Sequence, residues 1–305
     1  MLSAFLALVF AISVFSFQTN NKVSAGVGGV PDILEYSSNK SSASFVISSY
    51  AGMVAFSSLA STTDFSGKTV YLACDIDMSV GEYTPFASFA GTFDGKGYVL
   101  KNININVSEG LAGVFAKTTA QATIKNLGVV GGKIKLAGSA DSHRVGSFIG
   151  QMSGGTIERC YSSDELVAVK YNSSSTDDLS VGGIVGANIN GGVVKNCMFA
   201  GSATGVSHAS GISDWGQGHY EGYVGTVINC LNIGKLSAST CYGIARYSAS
   251  ILESNKSTAV TNSYYLGNYT DISFTSQDIK TSSYKLTSGE LAYLLNQNGV
   301  NKIWR

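Results

Sequence analysis

The chain has only two prolines and three histidines in 305 residues, and charged side chains make up just 13% of it. Twenty basic residues balance twenty acidic ones, and neither half carries a clustered basic stripe. Neutralising a phosphate backbone requires such a stripe, so nucleic acid is not an expected partner. The histidines, at positions 143, 208 and 219, form no His-Glu-x-x-His motif. There is no Gly-x-Ser-x-Gly elbow, and the five cysteines show no C-x-x-C spacing. These absences exclude the usual signatures of zinc peptidases, α/β-hydrolases and zinc-binding modules, and no cofactor is expected. No run of ten helix-forming residues occurs either. What the chain has instead is 36 glycines among Ser, Asn and β-branched residues, a composition suited to many short strands joined by tight turns.

The one long apolar run lies at the start, from Leu2 to Phe17. At about 16 residues it falls short of the ~20 needed to span a bilayer. Polar residues Gln18 to Lys22 then lead into Val23-Ser24-Ala25, a small-residue pattern that predicts cleavage before Gly26. Residues 1–25 therefore read as a signal peptide, and a secreted or cell-surface location follows. No later segment is long and apolar enough to cross a membrane. Residues 26–45, rich in Gly, Ser and Asn, read as a flexible leader.

Internal repeats govern the rest. Leu100-Lys101-Asn102-Ile103, Ile124-Lys125-Asn126-Leu127, Ile157-Glu158-Arg159-Cys160, Val194-Lys195-Asn196-Cys197, Val227-Ile228-Asn229-Cys230 and Val260-Thr261-Asn262-Ser263 are versions of one tetrapeptide. Their third positions are separated by 24, 33, 37, 33 and 33 residues. A second series, Gly113-Val114-Phe115, Ser147-Phe148-Ile149, Gly183-Ile184-Val185, Gly211-Ile212-Ser213 and Gly243-Ile244-Ala245, keeps step with the first. Each unit has room for three short strands and three turns but not for a crossover helix. Helical repeats of similar period are excluded by the β-branched, Gly-rich content. The expected fold is all-β: a right-handed, single-stranded parallel β-helix, with coils from about Thr69 to Ile272 inside a domain covering 46–305. A column of this kind needs its ends covered. Short capping helices are expected at about 49–59 and 288–296, the second opened by a Thr287-x-x-Glu290 capping box.

Several ordered segments give the chain a family resemblance. They are Gly67-Lys68-Thr69-Val70-Tyr71-Leu72 with Asp75-Ile76-Asp77-Met78, then Gly91-Thr92-Phe93-Asp94-Gly95-Lys96-Gly97, then Gly110-Leu111-Ala112-Gly113-Val114-Phe115, and finally Ser288-Gly289-Glu290-Leu291-Ala292-Tyr293-Leu294-Leu295-Asn296. Together they resemble the GLUG-motif repeat proteins of bacterial surfaces, which also occur as repeats in IgA-protease-related and adhesin-like proteins. The resemblance extends from about Gly52 to the C-terminus. It implies a β-helix, export and membership of larger surface proteins, with further domains possible beyond this chain. It implies no defined reaction.

Candidate chemistry is sparse. Cys160, Cys197 and Cys230 occupy one position in successive units. Their Cα atoms would stand ~4.8 Å apart with side chains pointing the same way, which favours a buried thiol ladder continuing Ile103 and Leu127 over a disulfide. Asn102, Asn126, Asn196, Asn229 and Asn262 read as a structural ladder of turn residues with coil-to-coil amide hydrogen bonds. Asp75 and Asp77, two apart on one strand face, are a weak calcium candidate. The segment from Ser207 to Tyr223 is the one departure from regular coil. It gathers Asp214, Trp215, His219, Tyr220 and Tyr223, and aromatic faces beside polar groups suit sugar rings. The favoured function is a binding or adhesion module for a glycan or an extracellular protein, with no catalytic residue assigned. A polysaccharide lyase or hydrolase using a lateral groove is the alternative. That reading would need Asp75, Asp77, Lys101 and Lys125 to converge. A passive stalk within a larger surface protein is the third.

Overall fold

The structure, a computed structural model, describes residues 29–138, 143–170, 179–217, 225–247, 260–269 and 278–296. Its strands are two to six residues long and pair in parallel with the coils before and after, in five sheets of eight, eight, five, five and five strands. One circuit shows the plan. Thr123–Lys125 lies in the first sheet, Gly128–Val130 in the second, Lys133–Gly138 in the third, Arg144–Gly146 in the fourth and Ile149–Ser153 in the fifth, before Thr156–Glu158 re-enters the first. The molecule is a parallel β-solenoid. A complete coil has five short strands and not the expected three, because the chain turns at more points than the Gly, Ser and Asn clusters indicate.

The tetrapeptide makes the corner between the first and second sheets. Asn126, Arg159, Asn196, Asn229 and Asn262 all have left-handed backbones, with φ of 53°, 52°, 55°, 58° and 46°. Asn adopts this conformation more readily than most L-residues, so one residue suffices to turn the chain. The second series makes the corner between the fourth and fifth sheets. Its central residues Val114, Phe148, Ile184, Ile212 and Ile244 are fully buried. At Gly183, Gly211 and Gly243 the residue before is small because the second sheet approaches from across the interior, whereas at Gly113 the backbone of the next coil fills the space. A Cβ on Gly183 would lie 2.5 Å from the Phe199 ring, and one on Gly243 2.5 Å from the Tyr265 ring.

Helix α1 (Tyr50–Ser58) covers the entrance, and the Ser49 hydroxyl caps it by accepting from the Gly52 N–H at 3.1 Å. Phe56 projects from α1 into a cluster of Phe65, Phe86, Phe89, Phe93 and Phe115, with ring centroids 4.6–6.2 Å away. The described part of the expected leader is folded. Ile33–Ser38 is a 3-10 helix with Ile33 and Tyr36 buried. Ser44–Ile47 is the first strand of the column, pairing with Thr69–Leu72. Ile33, Tyr36 and Phe45 supply the apolar surface that a polar average over the segment conceals.

At the other end, α2 (Ser283–Thr287) and α3 (Glu290–Leu295) meet at Gly289, whose φ is 79°. The expected capping box does not form, because the Thr287 hydroxyl donates back to the carbonyls of Ser283 and Tyr284. A Lys285–Glu290 ion pair at 2.9 Å joins the two helices instead. Leu291 and Leu295 pack on Met198, Leu231 and Tyr264, a cluster separate from the interior. These helices therefore lie along the flank of the second sheet.

Phe56→Ala should destabilise the protein by about 3–5 kcal/mol, since it empties the centre of the aromatic plug. Chemical denaturation of the two proteins side by side gives the difference, and a loss under ~1 kcal/mol would mean that α1 is not fixed by this contact.

Candidate functional site

The corner between the first and second sheets carries a polar ladder. The Asn126 amide donates to Asp94 at 2.9 Å, and Arg159 Nε donates to the Asn126 oxygen at 2.8 Å. Asn229 donates to Asn196, and Asn262 to Asn229 at 2.8 Å. Stacked amides thus satisfy one another from coil to coil. Asn102 stands apart from them. Asp94 pairs with Lys125, which puts Gly95 in register with Asn126; Lys101 pairs with Val130, which puts Asn102 in register with Gly131. Asn102 turns the next corner, with φ 58°, and donates to Asp77 at 3.0 Å. The anomalous 24-residue step in the sequence is this change of corner.

The three stacked cysteines are unbridged and fully buried. Register places Cys160 beside Cys197 and Cys197 beside Cys230. Leu127 precedes them in the stack and Ser263 follows, its hydroxyl accepting from the Cys230 N–H at 3.1 Å. Ile103 is outside this stack, because its neighbour Asn104 pairs with Lys133 in the third sheet. Burial pushes the Cys160 and Cys230 thiols well up. Burial acts against charge on Cys197 in the same way, and its thiol donates to the Lys195 carbonyl at 3.3 Å. Native protein should leave these three unreactive toward a thiol-specific disulfide reagent and yield them on denaturation. Half-buried Cys74 and Cys241 should react first, and rapid native labelling of Cys197 would contradict the ladder.

The irregular segment resolves in part. Trp215 lies in the strand Ser213–Gln217 of the fifth sheet. His219, Tyr220 and Tyr223 lie outside the described residues. Asp214 departs from the surface role expected for it, since it is fully buried and bound to Arg246 at 3.0 Å and to the Ser210 hydroxyl at 2.6 Å. A carboxylate pointing inward needs such partners, and here they come from its own coil and the next. Asp75 and Asp77 are both exposed but do not converge. Asp75 pairs with Lys101 at 3.0 Å, whereas Asp77 accepts from the Ser79 N–H and Asn102, contacts that hold its carboxyl below the usual range. Lys125 belongs to the first sheet, near Asp94 at 3.9 Å. Among the described residues no group of three or more His, Cys, Asp or Glu side chains is placed to hold a metal ion.

Two features escaped sequence reading. The first is the outer face of the first sheet. Ser44, Thr69, Thr92, Thr123, Thr156, Val193 and Thr226 stack in register as one half-buried row. Beside it runs a row of alternating sign, Asp94, Lys125, Glu158 and Lys195. Asp94 pairs with Lys96 at 3.2 Å, and Glu158 with Arg159 at 2.7 Å and Lys195 at 3.0 Å. A threonine stands one residue before three of the tetrapeptides, at positions 123, 156 and 226, although single hydroxyls carry no motif.

The second feature is Asp164, fully buried and accepting from the Gly132 N–H at 2.8 Å and Ser162 at 3.3 Å. Burial pushes its carboxyl up to about 7, against the lowering effect of those donors. A folded value above the unfolded one means stability that is complete below ~pH 4 and declines as pH rises to ~7. The wild type should lose about 2–4 kcal/mol across that interval. Asp164→Asn should flatten the profile in denaturant titrations at pH 5 and pH 8; an equal slope in both proteins would remove Asp164 as the cause.

Neither a known protein family nor a curated protein matches the sequence. Among solved structures, the fold is similar to that of a "putative immunoglobulin A1 protease" from Bacteroides ovatus, with a TM-score of 0.54 and 17% identity over 83% of this chain and 88% of the other. At that identity the likeness concerns the fold alone. No helix among the described residues is long and apolar enough to cross a membrane.

Proposed function

We propose that the protein is a secreted or cell-surface binding module that recognises glycans or extracellular proteins through the sides of its column. The observation that carries this reading is the in-register repetition of outward side chains, coil after coil, on a rigid frame. Equivalent groups at a fixed interval allow many weak contacts to act together, so affinity rises with the number engaged. The resemblance to GLUG-motif surface proteins and the apolar N-terminal run support the location. The Bacteroides ovatus protein shares the fold alone, and protease chemistry does not transfer with a fold. Lateral recognition also accommodates the Ser207–Tyr223 segment, with Trp215 as a candidate contact.

The test is to screen the immobilised chain, with Trp215→Ala alongside, on arrays of glycans and matrix proteins. Selective capture by the wild type is expected, and weaker capture by the variant would add Trp215 to the contact surface. An absence of binding to every glycan and protein would overturn the reading and leave the column as a spacer.

A further inference from the structure

We propose that the outer face of the first sheet is the recognition surface, and that its ligand is an extended, uncharged polysaccharide of pyranose rings lying along the column axis. This rests on the lateral-binding reading above and names its face and ligand class.

The hydroxyl row provides the first reason. Ser44, Thr69, Thr92, Thr123, Thr156 and Thr226 are stacked in one line, broken only by Val193. No side-chain hydrogen bond engages any of these hydroxyls within the described protein, whereas Thr62, Thr119 and Thr287 elsewhere spend theirs on nearby groups. Each therefore keeps a donor and two acceptor positions for an external partner. The β-branched side chain is stiff at its first torsion, so these hydroxyls are held in place before a ligand arrives.

Spacing and polarity select the ligand. The row advances by one strand separation per coil, ~4.8 Å, and its seven positions span roughly 29 Å. A pyranose ring in an extended chain has a comparable length, so about one ring falls on each coil over some six coils. Every threonine offers a methyl beside its hydroxyl, matching a ring that has C–H faces and hydroxyl edges. The adjoining row sets the charge preference. Asp94 and Glu158 alternate with Lys125 and Lys195 and are bound in ion pairs. Along the row itself the two signs are equal in number, which favours a neutral ligand there, while Lys96 and Arg159 share its two carboxylates from the corner beside it and leave that corner with two more cations than anions. Glu158 and the ammonium groups of Lys125 and Lys195, which are partly exposed, can still accept from and donate to sugar hydroxyls. Tyr71 occupies the same row, with Lys96 Nζ 4.4 Å from its ring centre, and adds an aromatic surface at the entrance end.

Val193 also supplies a fold-safe variant, since the row already accommodates valine at one step. Binding of the full chain to insoluble cellulose, xylan, mannan and chitin would be measured by depletion. Hexamers and dimers of the bound sugar would be compared in calorimetry. The test variant combines Thr92→Val, Thr123→Val, Thr156→Val and Thr226→Val; the control combines Lys133→Ser and Glu165→Ser on the third sheet. The wild type and control should bind at least one neutral polymer and prefer the hexamer. The quadruple variant should bind about tenfold or more weakly with an unchanged melting profile.

If the quadruple variant binds like the wild type, the face is wrong while the lateral-binding reading stands. If the wild type ignores all four polymers but captures an anionic glycan or a matrix protein, the ligand class is wrong. Inhibition of ice recrystallisation that disappears in the quadruple variant, without polymer binding, would assign the row to ordered water and overturn the proposal. An absence of any binding would remove both readings.

Discussion

Parallel, in-register pairing of each coil with the next is the constraint on which the rest depends. Once the first and second sheets are in register, position after position must be answered by something that stacks on itself. Backbone amides point along the column and are satisfied by neighbouring coils, while side chains are left to form rows. Asn stacks by exchanging amide hydrogen bonds, Cys by packing small polarisable atoms, and isoleucine by filling the interior. The Gly and Ser at the corner before Val114, Phe148, Ile184, Ile212 and Ile244 answer a different demand, because the next coil and, at Gly183, Gly211 and Gly243, the second sheet leave no room there for a larger side chain.

The entrance and the C-terminal helices are packed differently. At the entrance, aromatic bulk substitutes for a preceding coil: Phe56 enters from α1, and Phe65, Phe86, Phe89, Phe93 and Phe115 close around it. Further along, the interior contains Cys197, Cys230, Asn232 and Ser263, smaller or more polar residues held by local hydrogen bonds. The C-terminal helices cover Met198 and Leu231 on the flank, where the second sheet carries apolar residues facing outward.

Much of this was legible in the sequence because a solenoid repeats its errors and its rules alike. The Asn tetrapeptide announced a corner, the Gly–apolar series announced a buried row, and Ser49 announced the start of α1. Reading failed where equivalence depends on register. Asn102 matches the tetrapeptide yet turns a different corner, because the loop between Gly95 and Tyr98 shifts the phase. Ile103 fell out of the cysteine stack for the same reason. Asp214 looked like part of a polar surface cluster, and only Ser210 and the position of Arg246 one coil later show that it is buried and paired. The threonine row was hidden by being ordinary, since a half-buried strand position accepts threonine for its shape alone. Asp164 has no sequence signal because its burial follows from the glycines that stack around it at 132 and 201.

The direction of the inter-coil hydrogen bonds has a mechanical consequence. They run along the column, so a pull between the two ends loads them one rung at a time and does not shear a whole sheet at once. Under tension the molecule would lengthen by shedding coils in succession, each releasing a segment on the order of the 33 residues that separate Asn196, Asn229 and Asn262. The aromatic plug makes the entrance the harder end to open. Extension would then advance from the C-terminal side toward α1, and an attachment held by several coils would weaken gradually as the outermost ones yield.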